Sequence, residues 1–152
     1  MFDNSELGKF DFIYCQEVLH HTNNPQKSFN NLVKNNLSKN GIIAIYVYRR
    51  KAPIREFTDD FIRNKIVNMN YENAINECNK ITELAQELSK ITTEFYCPKI
   101  DLLEISEGKY TPQRFIYHFM MKFFWNQELN FNENSAINYD WYHPQNCTRH
   151  SL

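Results

Sequence analysis

The chain has 152 residues with 17 basic and 18 acidic side chains, a formal net charge of −1, 42% hydrophobic and 23% charged residues. These values indicate an ordinary globular domain with a core of its own, and they give no basis for binding nucleic acid or anionic membranes. The first six residues lack the basic and apolar stretches of a signal peptide, so none is expected, and no apolar run reaches the ~20 residues that span a bilayer. The four widely spaced cysteines favour free thiols. We therefore expect a cytoplasmic protein.

Glycine is scarce in this chain. Gly8, Gly41 and Gly108 are the only three. A phosphate-binding or nucleotide-binding loop needs several glycines close together, so no such loop can be built from these residues.

The first fifty residues predict a strand, a helix and a second strand. The apolar and aromatic run 10–15 is typical of a buried strand, and Asn24-Pro25 combines a capping residue with a first-turn proline. Asn40-Gly41 suits a left-handed helix end, and the nearly all-apolar run 41–48 is typical of a strand buried on both faces of a parallel sheet. The three elements predict a parallel βαβ unit.

This βαβ unit cannot form a complete sheet. Two parallel strands leave both faces and both edges without cover, and the rest of the sequence contains no further strands that could flank them.

The remaining residues predict a helical region rich in aromatic side chains. We expect helices over 53–69, 71–91 and 113–125, a connection over 96–110, and an aromatic cluster in irregular backbone over 138–144. On the first of these helices, the expected buried face is Ile54, Phe57, Phe61, Ile62 and Ile66. Aromatic residues of 115–125 are expected in the core rather than on a base-stacking platform.

Two stretches of the sequence resemble motifs of a known family. Residues 10–22, FDFIYCQEVLHHT, resemble the fourth-strand motif of class I S-adenosylmethionine-dependent methyltransferases, F-D-x-[VI]-x-x-x-x-[VA]-L-[HE]-H. Residues 32–45 resemble the next motif, L-x-x-x-L-K-P-G-G and strand five, with Lys39-Asn40-Gly41 in place of K-P-G-G. Residues 110–117 and 138–144 are similar to a substrate-side insertion and tail in some small-molecule methyltransferases.

The resemblance implies an α/β fold: a partial doubly wound, Rossmann-like methyltransferase sheet with a helical, aromatic-rich C-terminal region. Residues 1–50 would hold strands four and five, and residues 51–152 would form a helical acceptor-side region and tail. The implied cofactor is S-adenosylmethionine and the implied partner is a small-molecule methyl acceptor. The family's glycine-rich loop and the acidic residue after strand two have no counterpart, and both ends of the chain are interpreted as cut.

The resemblance also implies candidate site residues. Cys15, Gln16 and Glu17 match positions beside the methionine part of the cofactor, and His20 and His21 lie in the following turn toward the acceptor. Either histidine is a candidate general base because an unperturbed imidazole titrates near pH ~6.5. A structural role of the two histidines in capping the turn, and a solvated role for Glu17, are the alternatives.

Candidate acceptor-binding residues lie in the C-terminal half: Arg114, Tyr117, Asp140, Trp141 and Tyr142. A structural Arg114–Asp140 ion pair is the alternative to their binding role. His143, Cys147 and His150 are possible metal donors, but a fourth ligand is not evident, so no metal site is predicted.

The sequence therefore predicts methyl transfer from S-adenosylmethionine to an unidentified small molecule, with the isolated chain inactive because the cofactor-binding half is missing. The alternative from another class is a catalytically silent binding or regulatory fragment that pairs with a partner chain. The sequence carries no indication of the oligomeric state.

Overall fold

The computed structural model describes residues 7–144 and 146–150, which form two compact units. The first unit contains residues 7–50 and 146–150, and the second contains residues 51–144. Helices and small sheets make this a mixed α/β protein. Within the described ranges, no helix has both the length and the apolar character required to cross a bilayer.

The first unit contains the predicted strand–helix–strand sequence. Strand β1 is Phe10–Gln16, helix α1 is Pro25–Asn36 and strand β2 is Leu37–Tyr46. The two strands pair in parallel, which confirms the predicted arrangement. Helix α1 begins as expected, because the side-chain oxygen of Asn24 accepts a hydrogen bond from the backbone N–H of Lys27 at 2.9 Å.

The predicted helix end at Asn40-Gly41 is wrong. Helix α1 ends at Asn36, and Leu37 already has extended backbone as the first residue of β2. A Cβ atom at Gly41 would lie 3.0 and 3.1 Å from the carbonyl oxygens of Phe10 and Asp11. Glycine is therefore required here for the close approach of two strands and not for a left-handed cap.

The β1–β2 sheet is largely exposed in this chain, which corrects the expectation of a strand buried on both faces. Side chains of both strands are 46–67% exposed: Phe10, Phe12, Tyr14, Ile42, Ile45 and Tyr46. Among the described residues no third strand joins the sheet, as the sequence predicted. The two strands thus carry the apolar side chains typical of a sheet packed on both faces, but these side chains are exposed.

The second unit contains four helices and a small antiparallel sheet. In chain order these are α2 Pro53–Ile66, α3 Tyr71–Ser89, β3 Phe95–Cys97, β4 Gly108–Tyr110, α4 Pro112–Phe119 and α5 Phe131–Tyr142. The segment predicted as a connection thus contains the β3–β4 hairpin, in which Phe95 pairs with Tyr110 and Cys97 pairs with Gly108. Strands of three residues are too short to show a periodic pattern in the sequence.

The aromatic cluster predicted in irregular backbone is instead part of helix α5. Asn130 and Glu133 form a capping box at its start, with the Asn130 side chain accepting from the Glu133 N–H and the Glu133 carboxylate accepting from the Asn130 N–H. Its buried residues include Asn134, Ser135 and Asn138. Buried amides interrupt the apolar periodicity, so the sequence pattern did not indicate a helix. Helix α4 is also shorter than predicted, ending at Phe119.

Helix α2 buries a different face from the one expected. Ile66 is buried as expected, but the other buried side chains are Arg55, Asp59 and Arg63, and Phe57 is 76% exposed. The spacing of four residues is right for one helix face, but the face that packs inward carries charged side chains. In helix α3 the apolar spacing predicts a buried face that includes Ala74, Cys78, Leu84 and Ala85. Ala74, Cys78 and Ala85 are completely buried, whereas Leu84 is 53% exposed.

Candidate functional site

The first candidate site lies at the carboxyl end of strand β1. Cys15 is buried, while Gln16 and Glu17 are exposed. Burial raises the pKa of the Cys15 thiol, which keeps the thiol neutral and makes it a poor nucleophile. Gln16 and Glu17 are therefore the polar side chains that solvent can reach at this edge.

Glu17 has an unusual backbone conformation. Its φ of 55° lies in the left-handed region, which costs free energy for a residue with a side chain. Its backbone N–H donates to the carbonyl oxygen of Tyr46 at 3.3 Å, so the turn that leaves β1 is attached to the end of β2. This attachment holds the exposed Glu17 carboxylate beside the ends of both strands.

His20 and His21 follow in a short 3-10 turn, Leu19–His21, and differ sharply in accessibility. The His20 side chain is completely buried, with its ring stacked on Tyr48 at a centroid distance of 3.8 Å. His21 is half-buried, and its Nδ1 lies 2.9 Å from the carbonyl oxygen of Asn146. A carbonyl oxygen only accepts, so Nδ1 of His21 carries a hydrogen and donates it to this oxygen. Of the two histidines, His21 is the one that solvent can reach.

The predicted acceptor residues lie in the second unit, where three of them gather around a buried ion pair. Arg55 and Asp59 are both buried, and Nε of Arg55 lies 3.3 Å from Oδ2 of Asp59. Trp141 donates its indole N–H to Oδ2 of Asp59 at 2.9 Å, and the Tyr142 hydroxyl donates to Oδ1 at 3.0 Å. The guanidinium of Arg55 lies 4.9 Å from the ring centre of Tyr117.

Asp59 is therefore fully engaged by protein groups. Besides the side chains above, its Oδ1 accepts the backbone N–H of Lys122 at 2.6 Å. Its carboxylate joins helix α2 to helix α5 and to the segment after α4, with no oxygen left over for a ligand. The Tyr142 hydroxyl also lies 2.8 Å from the carbonyl oxygen of Lys122 and is completely buried, and burial raises its pKa. Asp59 and the residues bonded to it, which are Arg55, Lys122, Trp141 and Tyr142, therefore have a structural role, and we call this cluster the hub.

Arg114 and Asp140, the other two predicted acceptor residues, are exposed. The Arg114 guanidinium contacts Nε2 of His118 at 3.1 Å and lies 5.3 Å from the ring centre of Tyr117. Burial, followed by the charge of Arg114, lowers the pKa of His118, so the neutral imidazole can accept this hydrogen bond. Arg114 is thus paired with His118 and Tyr117 rather than with Asp140.

Lys122 is a feature that the sequence did not indicate. Its ammonium lies between three aromatic rings, at 5.5 Å from the centre of Tyr117, 5.2 Å from Phe124 and 5.3 Å from Trp141. Burial is the larger cause and the nearby positive charge of Arg55 the next, and the pKa of Lys122 is lowered to about 8. A cation here is held by ring faces rather than by a carboxylate.

The hub residues Arg55, Asp59 and Lys122 were not among the sequence-predicted residues. The sequence does contain a pattern that includes Arg55 and Asp59: Arg55, Asp59 and Arg63 are spaced four residues apart and so share one helix face. On a helix this pattern also describes an exposed salt-bridge face, so the sequence cannot distinguish the two cases. No group of three or more His, Cys, Asp or Glu side chains among the described residues is placed to hold a metal ion.

Comparison of the chain with protein-family models, with curated proteins and with solved structures gives no match.

Proposed function

We propose that the chain is the acceptor-side part of a class I S-adenosylmethionine-dependent methyltransferase and that it acts in methyl transfer to a small molecule once a cofactor-binding segment completes its sheet. The observation that carries the proposal is the edge formed by the ends of β1 and β2. There the motif residue Gln16 ends strand β1 and pairs with Tyr46 at the end of β2, and Glu17 follows it with its backbone N–H donating to the Tyr46 carbonyl oxygen. In open α/β sheets, ligands bind at this edge.

The exposed sheet supports the need for a completing segment. Apolar side chains on both strands, such as Phe12 at 61% and Ile42 at 67% exposure, are typical of a sheet with helices on both faces. Burial of such side chains releases roughly 25 cal/mol for each Å² of apolar surface. A segment that supplies flanking strands and helices would gain this free energy.

The residues at the edge fit part of the cofactor. The exposed Glu17 carboxylate and Gln16 amide suit the amino and hydroxyl groups of S-adenosylmethionine, while the groups for its ribose and carboxyl ends would come from the completing segment. The cofactor supplies a methyl group on a positively charged sulfur, which is already activated for transfer. The task of this chain is then to orient the acceptor and to remove its proton.

His21 is the proposed base. Its Nδ1–H is directed to the Asn146 carbonyl oxygen, which fixes the ring and leaves Nε2 to take a proton. His20, buried under Tyr48, would position the turn that carries His21. Of the acceptor-binding residues that the resemblance implies, Arg114, Tyr117 and Asp140 keep solvent access, while Trp141 and Tyr142 are held by Asp59 within the second unit.

The experiment begins with the DNA upstream of the codon for Met1. If that DNA encodes an in-frame G-x-G-x-G segment, the extended chain is expressed and titrated with S-adenosylmethionine by calorimetry beside the 152-residue chain. We expect the extended chain to bind and the shorter chain to show no measurable affinity. Glu17→Gln should weaken binding about tenfold, and Glu107→Gln, an exposed carboxylate in the second unit, should leave it unchanged. An extended chain that fails to bind would contradict the proposal.

The second candidate function is a catalytically silent binding or regulatory fragment that pairs with a partner chain. The exposed β1–β2 sheet favours it as well, because the same apolar faces would serve a partner without chemistry. Transfer of a radioactive methyl group by the extended chain to pooled small molecules separates the two. Turnover that falls at least a hundredfold in His21→Gln supports catalysis, whereas cofactor binding with no turnover supports the silent fragment.

A further inference from the structure

The second unit contains an apolar groove between helices α2 and α3. Its volume is about 440 Å³, within the range of small-molecule sites in proteins. The buried side chains of Ile66 and Phe123 form part of its lining, at 3% and 1% exposure. Phe61 and Leu84 line it as well but are 56% and 53% exposed. An apolar molecule in the groove would therefore cover surface that water now contacts.

Two lysines line the groove, and only one of them forms an ion pair. The ammonium of Lys80 lies 2.6 Å from a carboxylate oxygen of Glu77, which neutralises it. The ammonium of Lys65 lies 5.2 Å from the ring centre of Phe61, and no carboxylate of the described chain lies at ion-pair distance from it. The groove thus combines an apolar lining with one positive charge that lacks an acidic counterpart.

We propose that this groove binds an aliphatic carboxylate of medium chain length, with the tail over the exposed side chains of Phe61 and Leu84 and the carboxylate against Lys65. The charge selects the head group, since the Lys65 ammonium attracts an anion and repels a cation. The apolar lining selects the tail. Two methionine side chains in the lining, which are flexible and polarisable, allow tails of different shape to fit.

The dimensions favour a small molecule over a protein segment. An amphipathic helix needs a longer groove that takes side chains at positions i, i+3, i+4 and i+7. The volume of about 440 Å³ instead matches a single ligand of modest size. The proposal concerns the second unit alone and does not depend on methyl transfer.

The test is calorimetric titration of the full 152-residue chain with dodecanoate below its micellar concentration. The matched probe is dodecyltrimethylammonium, which has the same tail and the opposite charge. We expect saturable binding of one dodecanoate per chain, with the cationic probe binding at least tenfold more weakly. Equal binding of the two probes, or binding without saturation, would overturn the proposal.

Two variants and two controls locate the site. Lys65→Gln should weaken dodecanoate binding about three- to tenfold and reduce the difference between the probes. Leu84→Gln should weaken the binding of both probes, because it places a polar group on the lining. Lys90→Gln and Leu102→Gln change residues outside the groove, with Leu102 being 89% exposed, and both should bind like the unaltered chain.

All four substituted side chains are exposed, so circular dichroism should show the same helix content in each protein. Unchanged affinity in Lys65→Gln and Leu84→Gln would refute the site. A tighter complex with an acidic helical peptide than with dodecanoate would refute the choice of ligand.

Discussion

The indole N–H of Trp141 donates a hydrogen bond to the carboxylate of Asp59 at 2.9 Å across 82 positions of sequence. This bond joins helix α5 to helix α2. The same carboxylate accepts hydrogen bonds from Tyr142 and from the backbone of Lys122. One buried side chain thus fixes the relative positions of three segments of the second unit.

Replacement of Asp59 by Asn should destabilise the protein strongly. The amide keeps the shape of the carboxylate but removes the charge that pairs with Arg55, and its NH₂ group meets other donors. We expect the free energy of unfolding to fall by about 3 kcal/mol, measured by urea denaturation with tryptophan fluorescence. Asp101→Asn is the control, because that side chain is 81% exposed, and it should change stability by less than about 0.5 kcal/mol. Similar effects of the two substitutions would contradict the hub role.

Lys122 should make stability depend on pH in the alkaline range. Its folded pKa of about 8 lies below the ordinary value of 10.5, so between these values the unfolded chain binds more protons than the folded chain. Through Lys122, stability should therefore rise as the pH rises from 8 to 10.5. Lys122→Met removes the buried charge and should stabilise the protein by about 1 kcal/mol at pH 7.

The difference between Lys122→Met and the unaltered chain should then shrink as the pH rises from 8 to 10.5. Burial also raises the pKa of Cys78 from 9.0 to about 12, which lowers stability above pH 9. Both proteins contain Cys78, so the difference between them isolates Lys122. Chemical denaturation at a series of pH values measures it, and a constant difference would count against a perturbed Lys122. Lys90→Met, at an exposed position, serves as the control.

Asn138→Ala should also destabilise the second unit. The Asn138 side chain accepts the backbone N–H of Phe124 at 3.0 Å, and it donates to the Phe124 carbonyl oxygen at 3.1 Å and to the Thr82 hydroxyl at 2.9 Å. Truncation removes the side-chain partner of the Phe124 backbone N–H and carbonyl, so we expect a loss of about 2 kcal/mol in the free energy of unfolding. Asn132→Ala, on the exposed side of the same helix, should cost less than about 0.5 kcal/mol. An equal cost at the two positions would show that helix propensity, and not the amide contacts, sets the effect.

Truncation of a phenylalanine should cost much more stability in the core than on the exposed β1–β2 sheet. Phe123 is 1% exposed and Phe12 is 61% exposed. Phe123→Ala should cost about 3–5 kcal/mol in the free energy of unfolding, whereas Phe12→Ala should cost less than about 1 kcal/mol. Urea denaturation of both variants measures the contrast. A large loss in Phe12→Ala would mean that the β1–β2 sheet is covered in solution, for example by self-association that ultracentrifugation would detect.

The sequence alone determined the features that depend on neighbouring residues. The capping group of Asn24 and the first-turn proline start helix α1 where predicted, and the small residues Ala74, Cys78 and Ala85 mark the buried face of α3. The parallel pairing of β1 and β2 also followed from the strand–helix–strand order. In each case the deciding interaction lies within a few residues or follows from chain connectivity.

The candidate site was predictable only in part. The motif placed Gln16, Glu17 and the two histidines at the end of β1, and they lie there. The sequence could not show that His20 is buried under Tyr48 while His21 remains accessible. Burial of a ring depends on what packs over it, and Tyr48 lies 28 positions further along the chain, in a segment with no pattern that indicates the contact.

Only the tertiary structure decided which polar side chains of the second unit are buried. Asp59 and Asn138 look like surface residues in the sequence, because isolated charges and amides usually stay in water. They are buried because partners from distant segments, such as Trp141 for Asp59 and the backbone of Phe124 for Asn138, replace every hydrogen bond that water would have made. Helix α5, which carries Asn138 and Trp141, buries amide side chains as well as aromatic ones and therefore lacks an apolar stripe. Apolar periodicity is visible in a short stretch of sequence. The hydrogen-bond partners of a buried polar side chain come from distant segments, so only the folded structure shows that the side chain can be buried.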